Sequence, residues 1–192
     1  MVKGLPQWRS LRGWWLAGTL ALAGTSLAAP PQPLVLAGAA YEHRWSKDGQ
    51  NEYTPPGQED LARWQDMLTL IVRPDVGEGE ALAGLANGVL ANYEGAGVIV
   101  RTDSRPAAPG QPAEHLIVAM LGGGPLVEAA FARLLLHEGV GLMVVRSRRA
   151  YGESAATEIG AWVRDNGPAA ELALWTWQPP PIADLQALPA SP

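Results

Sequence analysis

Cysteine is absent from all 192 residues of this chain. That excludes a disulfide framework, a lipidated N-terminal cysteine, a thiol nucleophile and any thiolate-bound metal. Histidine is nearly as scarce. His43, His115 and His137 show neither H-x-H nor H-E-x-x-H spacing, so no metal and no cofactor is expected. The frames of nucleophilic and nucleotide chemistry are missing as well. There is no G-x-S-x-G elbow and no S-x-x-K, and "LGGGP" (121–125) lacks both the G-x-G-x-x-G spacing and the lysine of a P-loop. Three glycines after a strand read as a turn or bulge. Positive charge is in deficit too, with 14 Lys and Arg against 19 Asp and Glu.

What is present begins with an export leader over residues 1–28. Lys3, Arg9 and Arg12 precede the apolar run "WWLAGTLALAG", and Ser26-Leu27-Ala28 fits a peptidase site, with cleavage expected after Ala28. A retained membrane anchor is the alternative, but the run is short for a bilayer. Arg9 and Arg12 are not adjacent, which argues against the twin-arginine route. The expected location is the periplasm, or outside the cell. Removing the leader takes three basic residues and no acidic one, so 11 face 19 and the net charge falls from −5 to about −8. A field of that sign repels phosphate backbones and anionic lipid, so neither nucleic acid nor, after cleavage, a membrane is an expected partner. The remaining length of about 164 residues suffices for one domain without covalent staples.

Residues 29–38 read as an extended leader and 39–177 as the folded domain. In "AYEHRWS", alternation puts Tyr41, His43 and Trp45 on one face and Glu42, Arg44 and Ser46 on the other. Asp48-Gly49 marks a hairpin turn, with "NEYTP" returning as the second strand. The acidic stretch Glu59-Asp60 ahead of Leu61, Trp64 and Leu68 predicts a helix. "MLTLIVRP" predicts a buried strand, and 75–97 a helix in which Gly84 and Gly88 each cost about 1 kcal/mol; close approach to a sheet would explain them. A run of four strands follows, with residues 125–137 ambiguous between helix and strand and read as a strand from about Ala129. "GESAATEIGAWVRDNGP" predicts a helix stopped at Asn166-Gly167, with Pro168 opening another. Residues 178–192 read as a disordered, Pro-rich tail. Runs of strands rather than strict alternation predict an α+β fold: a largely antiparallel sheet of six to seven strands covered by helices.

Two constellations are candidate sites. His43 with Glu52, or with Asp48, has the composition of a general base and its orienter; the alternative is a packed histidine beside the turn residues Asp48 and Asn51. In "RSRRAYGE", Arg146 and Arg148 share a face and have the geometry to hold a carboxylate or phosphate, with Tyr151 beside them. The alternative there is a protected sheet edge, or ion pairs to Glu153 and Glu158.

With "YEHRWSKDGQNEYTP…DLARWQDM" and "RSRRAYGE", the chain resembles a family of exported bacterial proteins of unassigned function, over roughly residues 40–177. That resemblance carries over no site residues. The layout is also similar, at a distance, to small sandwiches of the Mog1/PsbP type, which implies a fold and no activity. The expected function is a non-enzymatic exported domain that binds a partner protein or a small ligand, with an anion at Arg146 and Arg148 as one form of the latter. The alternative is a hydrolase or other acid/base enzyme built on His43.

Overall fold

A computed structural model describes residues 32–191, so the leader expected over residues 1–28 lies outside the described part. Eight strands form one sheet: β1 (Leu34–Leu36), β2 (Ala39–Lys47), β3 (Gln50–Thr54), β4 (Asp66–Arg73), β5 (Gly97–Arg105), β6 (Glu114–Gly123), β7 (Leu126–His137) and β8 (Val140–Tyr151). Their spatial order is β1-β2-β3-β4-β8-β7-β6-β5, and every neighbouring pair is antiparallel. Two four-strand meanders therefore meet at the β4–β8 seam. Helix α1 (Gly79–Ala96) carries the chain from that seam to the far edge, and α2 (Ala155–Thr176) and the five-residue α3 (Ile182–Gln186) close it.

The α+β expectation of six to seven strands covered by helices is thereby corrected. The sheet has eight strands and is curled into a half-barrel. Strand accounts for 44% and helix for 28% of the structure, which makes the fold mainly β. The helices fill and flank the sheet instead of forming a covering layer. α2 packs on β7 and β8, yet Glu171 pairs with Arg101 of β5 at one edge and Trp177 Nε1 donates to the Val35 carbonyl of β1 at the other. A helix that reaches both edges of a curled sheet lies on its concave face. Its neighbours there are Leu68, Leu70, Phe131, Leu142 and Val144. On the other face α1 sets Leu82, Ala86 and Val89 against Ile117, Ala130, Ala132 and Leu134. The strict alternation of β7 between these two cores is what makes residues 126–137 a strand.

Several local expectations fail for physical reasons. The helix predicted at 59–68 does not form. Asp60 Oδ1 accepts the Ala62 N–H, and Gln58 Oε1 accepts the N–H groups of Gln65 and Asp66, so side chains take backbone donors a helix would have used. α2 runs on through Gly167-Pro168 without a break. Gly167 is buried, and a Cβ there would touch Phe131, so the helix is held close to the sheet where its ladder loses one hydrogen bond. The leader at 29–38 supplies β1, which pairs with β2 through Leu34–Leu36. Gly84 and Gly88 are not packed against the sheet: a Cβ on either would meet nothing within 4 Å.

The tail expected as disordered is ordered from 178 to 191. β2, β4, β6 and β8, with their partners, place Lys47, Gln50, Arg73, Val140, His137, Glu114 and Arg105 at one end of the sheet. The tail crosses that end as a strap. Pro180 O meets His137 Nε2, the Ile182 N–H donates to Glu138, Ile182 and Leu185 are buried, and the Ser191 N–H donates to the Ser46 carbonyl at 2.7 Å. Apolar residues at 182, 185 and 188 among the prolines are enough to seat it on the core.

Candidate functional site

A β-bulge in β2 builds the site. The Asp48-Gly49 turn forms as expected, with φ of 50° and 82° in the left-handed region that a two-residue hairpin requires. From that turn the register pairs Ser46 with Asn51 and Trp45 with Glu52, then shifts by one before pairing His43 with Tyr53. The extra residue reverses the expected alternation. Tyr41, His43 and Ser46 share the concave face with Asn51 and Tyr53, while Trp45 and Glu52 go to the opposite face.

His43 and Ser46 thus become neighbours. His43 Nε2 lies 2.6 Å from Ser46 Oγ, which donates to Asn51 Oδ1 at 2.6 Å. Ser46 is only 6% exposed, and the edge of the Tyr53 ring packs against His43 at 5.4 Å. Burial pulls the His43 pKa below its ordinary value, opposed in part by the Trp45 backbone, and so favours the neutral ring. A hydroxyl has one proton. With Ser46 donating to Asn51, the imidazole is the donor to Ser46 and does not act as its base.

Ser46 and Asn51 form the polar floor of a pocket of about 330 Å³. The β2–β3 turn (Lys47, Asp48, Gly49) makes one wall, Val72 and Pro74 another, and the strap residues Leu185, Leu188 and Ala190 the third. His43 stands behind Ser46, outside the lining.

The expected carboxylate partners of His43 are elsewhere. Glu52 lies across the sheet and accepts from Gln50 Nε2 at 2.8 Å, and Asp48 sits at the turn and faces the pocket. Among the described residues no acid orients the imidazole, so the sequence-derived pair His43/Glu52 does not assemble.

The arginine constellation is divided as well. Arg146 and Arg148 share the concave face. Arg146 is taken by Asp66 at 3.3 Å, and its guanidinium lies 5.7 Å from the centre of the Trp162 ring. Tyr41 donates to the same carboxylate at 2.8 Å, and its phenol pKa is raised, first by burial and then by the Asp66 charge. Arg148 stands opposite Asp66 in the β4–β8 ladder. Tyr151 is on the other face, donating to the Trp64 carbonyl at 2.7 Å beside Arg149, which pairs with Glu128 and stacks on Trp64. Alternation along β8 separates Tyr151 from the two arginines by a full sheet thickness.

Among the described residues no three His, Asp or Glu side chains are placed to hold a metal ion, and no helix is long and apolar enough to cross a bilayer. No protein-family model matches the chain, and no curated protein sequence matches it.

Sequence reasoning missed Ser46, Leu185, Leu188 and Ala190. The bulge carries no residue signature in "HRWS", and the strap sits in a stretch whose proline content argued for disorder.

Proposed function

We propose that this domain is an exported binding protein, and that a small molecule with an apolar body and one hydrogen-bonding group occupies the pocket beneath the strap. One observation carries this reading: a buried serine–asparagine floor faces Val72, Leu185 and Leu188 across about 330 Å³. That combination of a few fixed polar groups and apolar walls is typical of ligand sites. Lys47 and Asp48 stand together at the rim, so the pocket favours neither sign of charge. The test is a thermal-shift screen with medium-chain alcohols, amides and fatty acids, comparing the chain with Ala190→Trp, which fills the pocket from the exposed strap. At least one compound should raise the Tm in the parent only. A screen in which none does so sinks the proposal.

A hydrolase reading keeps one specific observation, the 2.6 Å approach of His43 Nε2 to Ser46 Oγ. Rotating the Asn51 amide would let Ser46 donate to the imidazole. The absence of a carboxylate beside His43 among the described residues, and the donation of the Ser46 hydroxyl to Asn51, weigh against it. Incubation with a fluorophosphonate separates the two readings: a covalent adduct on Ser46 supports the hydrolase, and an unmodified chain the binding protein.

Export is part of the proposal and rests on the leader sequence. N-terminal sequencing of the protein recovered from the periplasm should begin at Ala29; a product that keeps Met1 would overturn cleavage.

A further inference from the structure

The strap begins beside a second cavity, of about 270 Å³, between the β5–β6 loop and the C-terminal end of α2. Its character is opposite to that of the first. Arg105, Gln111, Glu114, Arg133 and Gln178 contribute polar groups, and Trp175 closes one side. Arg133, on β7, is 4% exposed and almost fully engaged. Its Nε and Nη2 donate to both oxygens of Glu114 at 2.9 and 3.0 Å, and its Nη1 donates to the carbonyls of Leu174 and Trp177 at 2.7 and 2.8 Å. Glu114 and Arg133 therefore neutralise one another.

Arg105 is different. Its guanidinium lies 4.3 Å from the centre of the Trp175 ring, and Nη1 donates to the Trp175 carbonyl at 3.3 Å. Among the described residues that is its one side-chain hydrogen bond, so this exposed side chain at the cavity's edge keeps most of its five N–H groups without a protein partner. Stacking on an indole fixes the plane of the fork without consuming those donors. The loop opposite is held by reciprocal backbone bonds between Ala108 and Gln111, both 2.8 Å, between Pro106 and Pro112. The net charge of the lining is +1, in a protein whose overall charge is negative.

We propose that this cavity binds a small oxyanion, a carboxylate or a phosphate borne on a compact polar body, with Arg105 as the fork that grips it and the amides of Gln111 and Gln178 beside it. Two parallel N–H···O bonds from a pre-oriented guanidinium are the recurring way proteins hold such groups. The sequence pointed to Arg146 and Arg148 for this chemistry; Asp66 neutralises Arg146, whereas Arg105 has no carboxylate partner among the described residues, and the cavity's one carboxylate, Glu114, is held by Arg133.

The test is an NMR titration of the whole domain at low ionic strength with inorganic phosphate, acetate and succinate, against chloride. Saturable shifts of the Arg105 Nε–H, the Gln111 and Gln178 amides and the Trp175 indole are expected with at least one oxyanion and not with chloride. Saturation by phosphate alone assigns a phosphorylated ligand, and saturation by acetate or succinate alone a carboxylic acid. Arg105→Gln should weaken binding about tenfold, and Gln111→Ala, on the exposed loop, should also weaken it. Ala190→Trp should leave it unchanged, which separates this cavity from the pocket at the other end of the strap. No saturable shift with any oxyanion, or unchanged binding by Arg105→Gln, overturns the proposal.

Discussion

The two long helices lie on opposite faces of one sheet, and they are held in different ways. α2 is built into the concave face: Arg133 caps its last carbonyls from β7, Glu171 ties it to β5, Trp177 reaches β1, and the strap runs on from its end. α1 is laid on the outside. Neither of its ends has a side-chain cap, and its glycines at 84 and 88 open onto a groove beside Ile71 and Met143. The contrast shows that on a curled sheet the concave helix can bond to both edges, while the convex helix depends on apolar area from one side.

Breaking the Arg133 clamp should have the largest effect. Arg133→Met leaves Glu114 without its cation and the end of α2 uncapped, at a cost of about 3–5 kcal/mol in chemical denaturation. A loss below 1 kcal/mol would mean the clamp does not hold α2. Leu185→Ala tests whether the strap belongs to the same core. A side chain only 3% exposed should cost about 2–4 kcal/mol, whereas a dispensable tail would lose almost nothing.

The convex helix should respond in the other direction. Gly84→Ala and Gly88→Ala meet no neighbour within 4 Å and should each stabilise the fold by about 0.4–1 kcal/mol. Destabilisation by either would show that α1 is packed as closely as α2. A second concave cluster sharpens the comparison. Replacing Tyr41, Asp66 and Arg146 together, by Tyr41→Phe, Asp66→Leu and Arg146→Met, removes a 3.3 Å ion pair and the unpartnered buried Nε of Arg146. Its effect should stay within about 1 kcal/mol, because no helix end depends on that cluster.

The smallest effect is a slope with pH. The folded pKa of His43 lies below its ordinary 6.5 because burial disfavours the imidazolium. The unfolded chain therefore takes up the proton first. The stabilising contribution is present above about pH 6.5 and is lost as the pH falls through the lower, folded value. His43→Gln should flatten the dependence of the Tm on pH across that window; an unchanged slope would assign it to other groups.

Much of the fold was legible from local pattern. The Asp48-Gly49 hairpin, the buried strand at 66–73, the helix at 79–96, the first part of the helix that begins at Ala155 and the four-strand run between the two helices follow from turn chemistry and periodicity. The candidate sites were far less legible. For His43 the sequence offered a carboxylate, Glu52 or Asp48, or plain packing; its hydrogen-bond partner is Ser46, because one inserted residue turned the strand over. Arg133 drew no notice in "FARLLLH", since its role exists only where β7, β6 and the end of α2 meet.

The sequence by itself determined which segments are strand, turn and helix over most of the chain, the acidic balance, and the lack of any thiol or metal-binding motif. Those properties depend on residues within a few positions of each other, or on composition alone. Tertiary structure decided that the sheet curls around α2, that the Pro-rich end becomes a strap, and which arginine keeps its donors free. Each of these depends on what lies opposite a residue in the folded chain, and partners separated by 41 to 145 positions leave no local trace in the sequence.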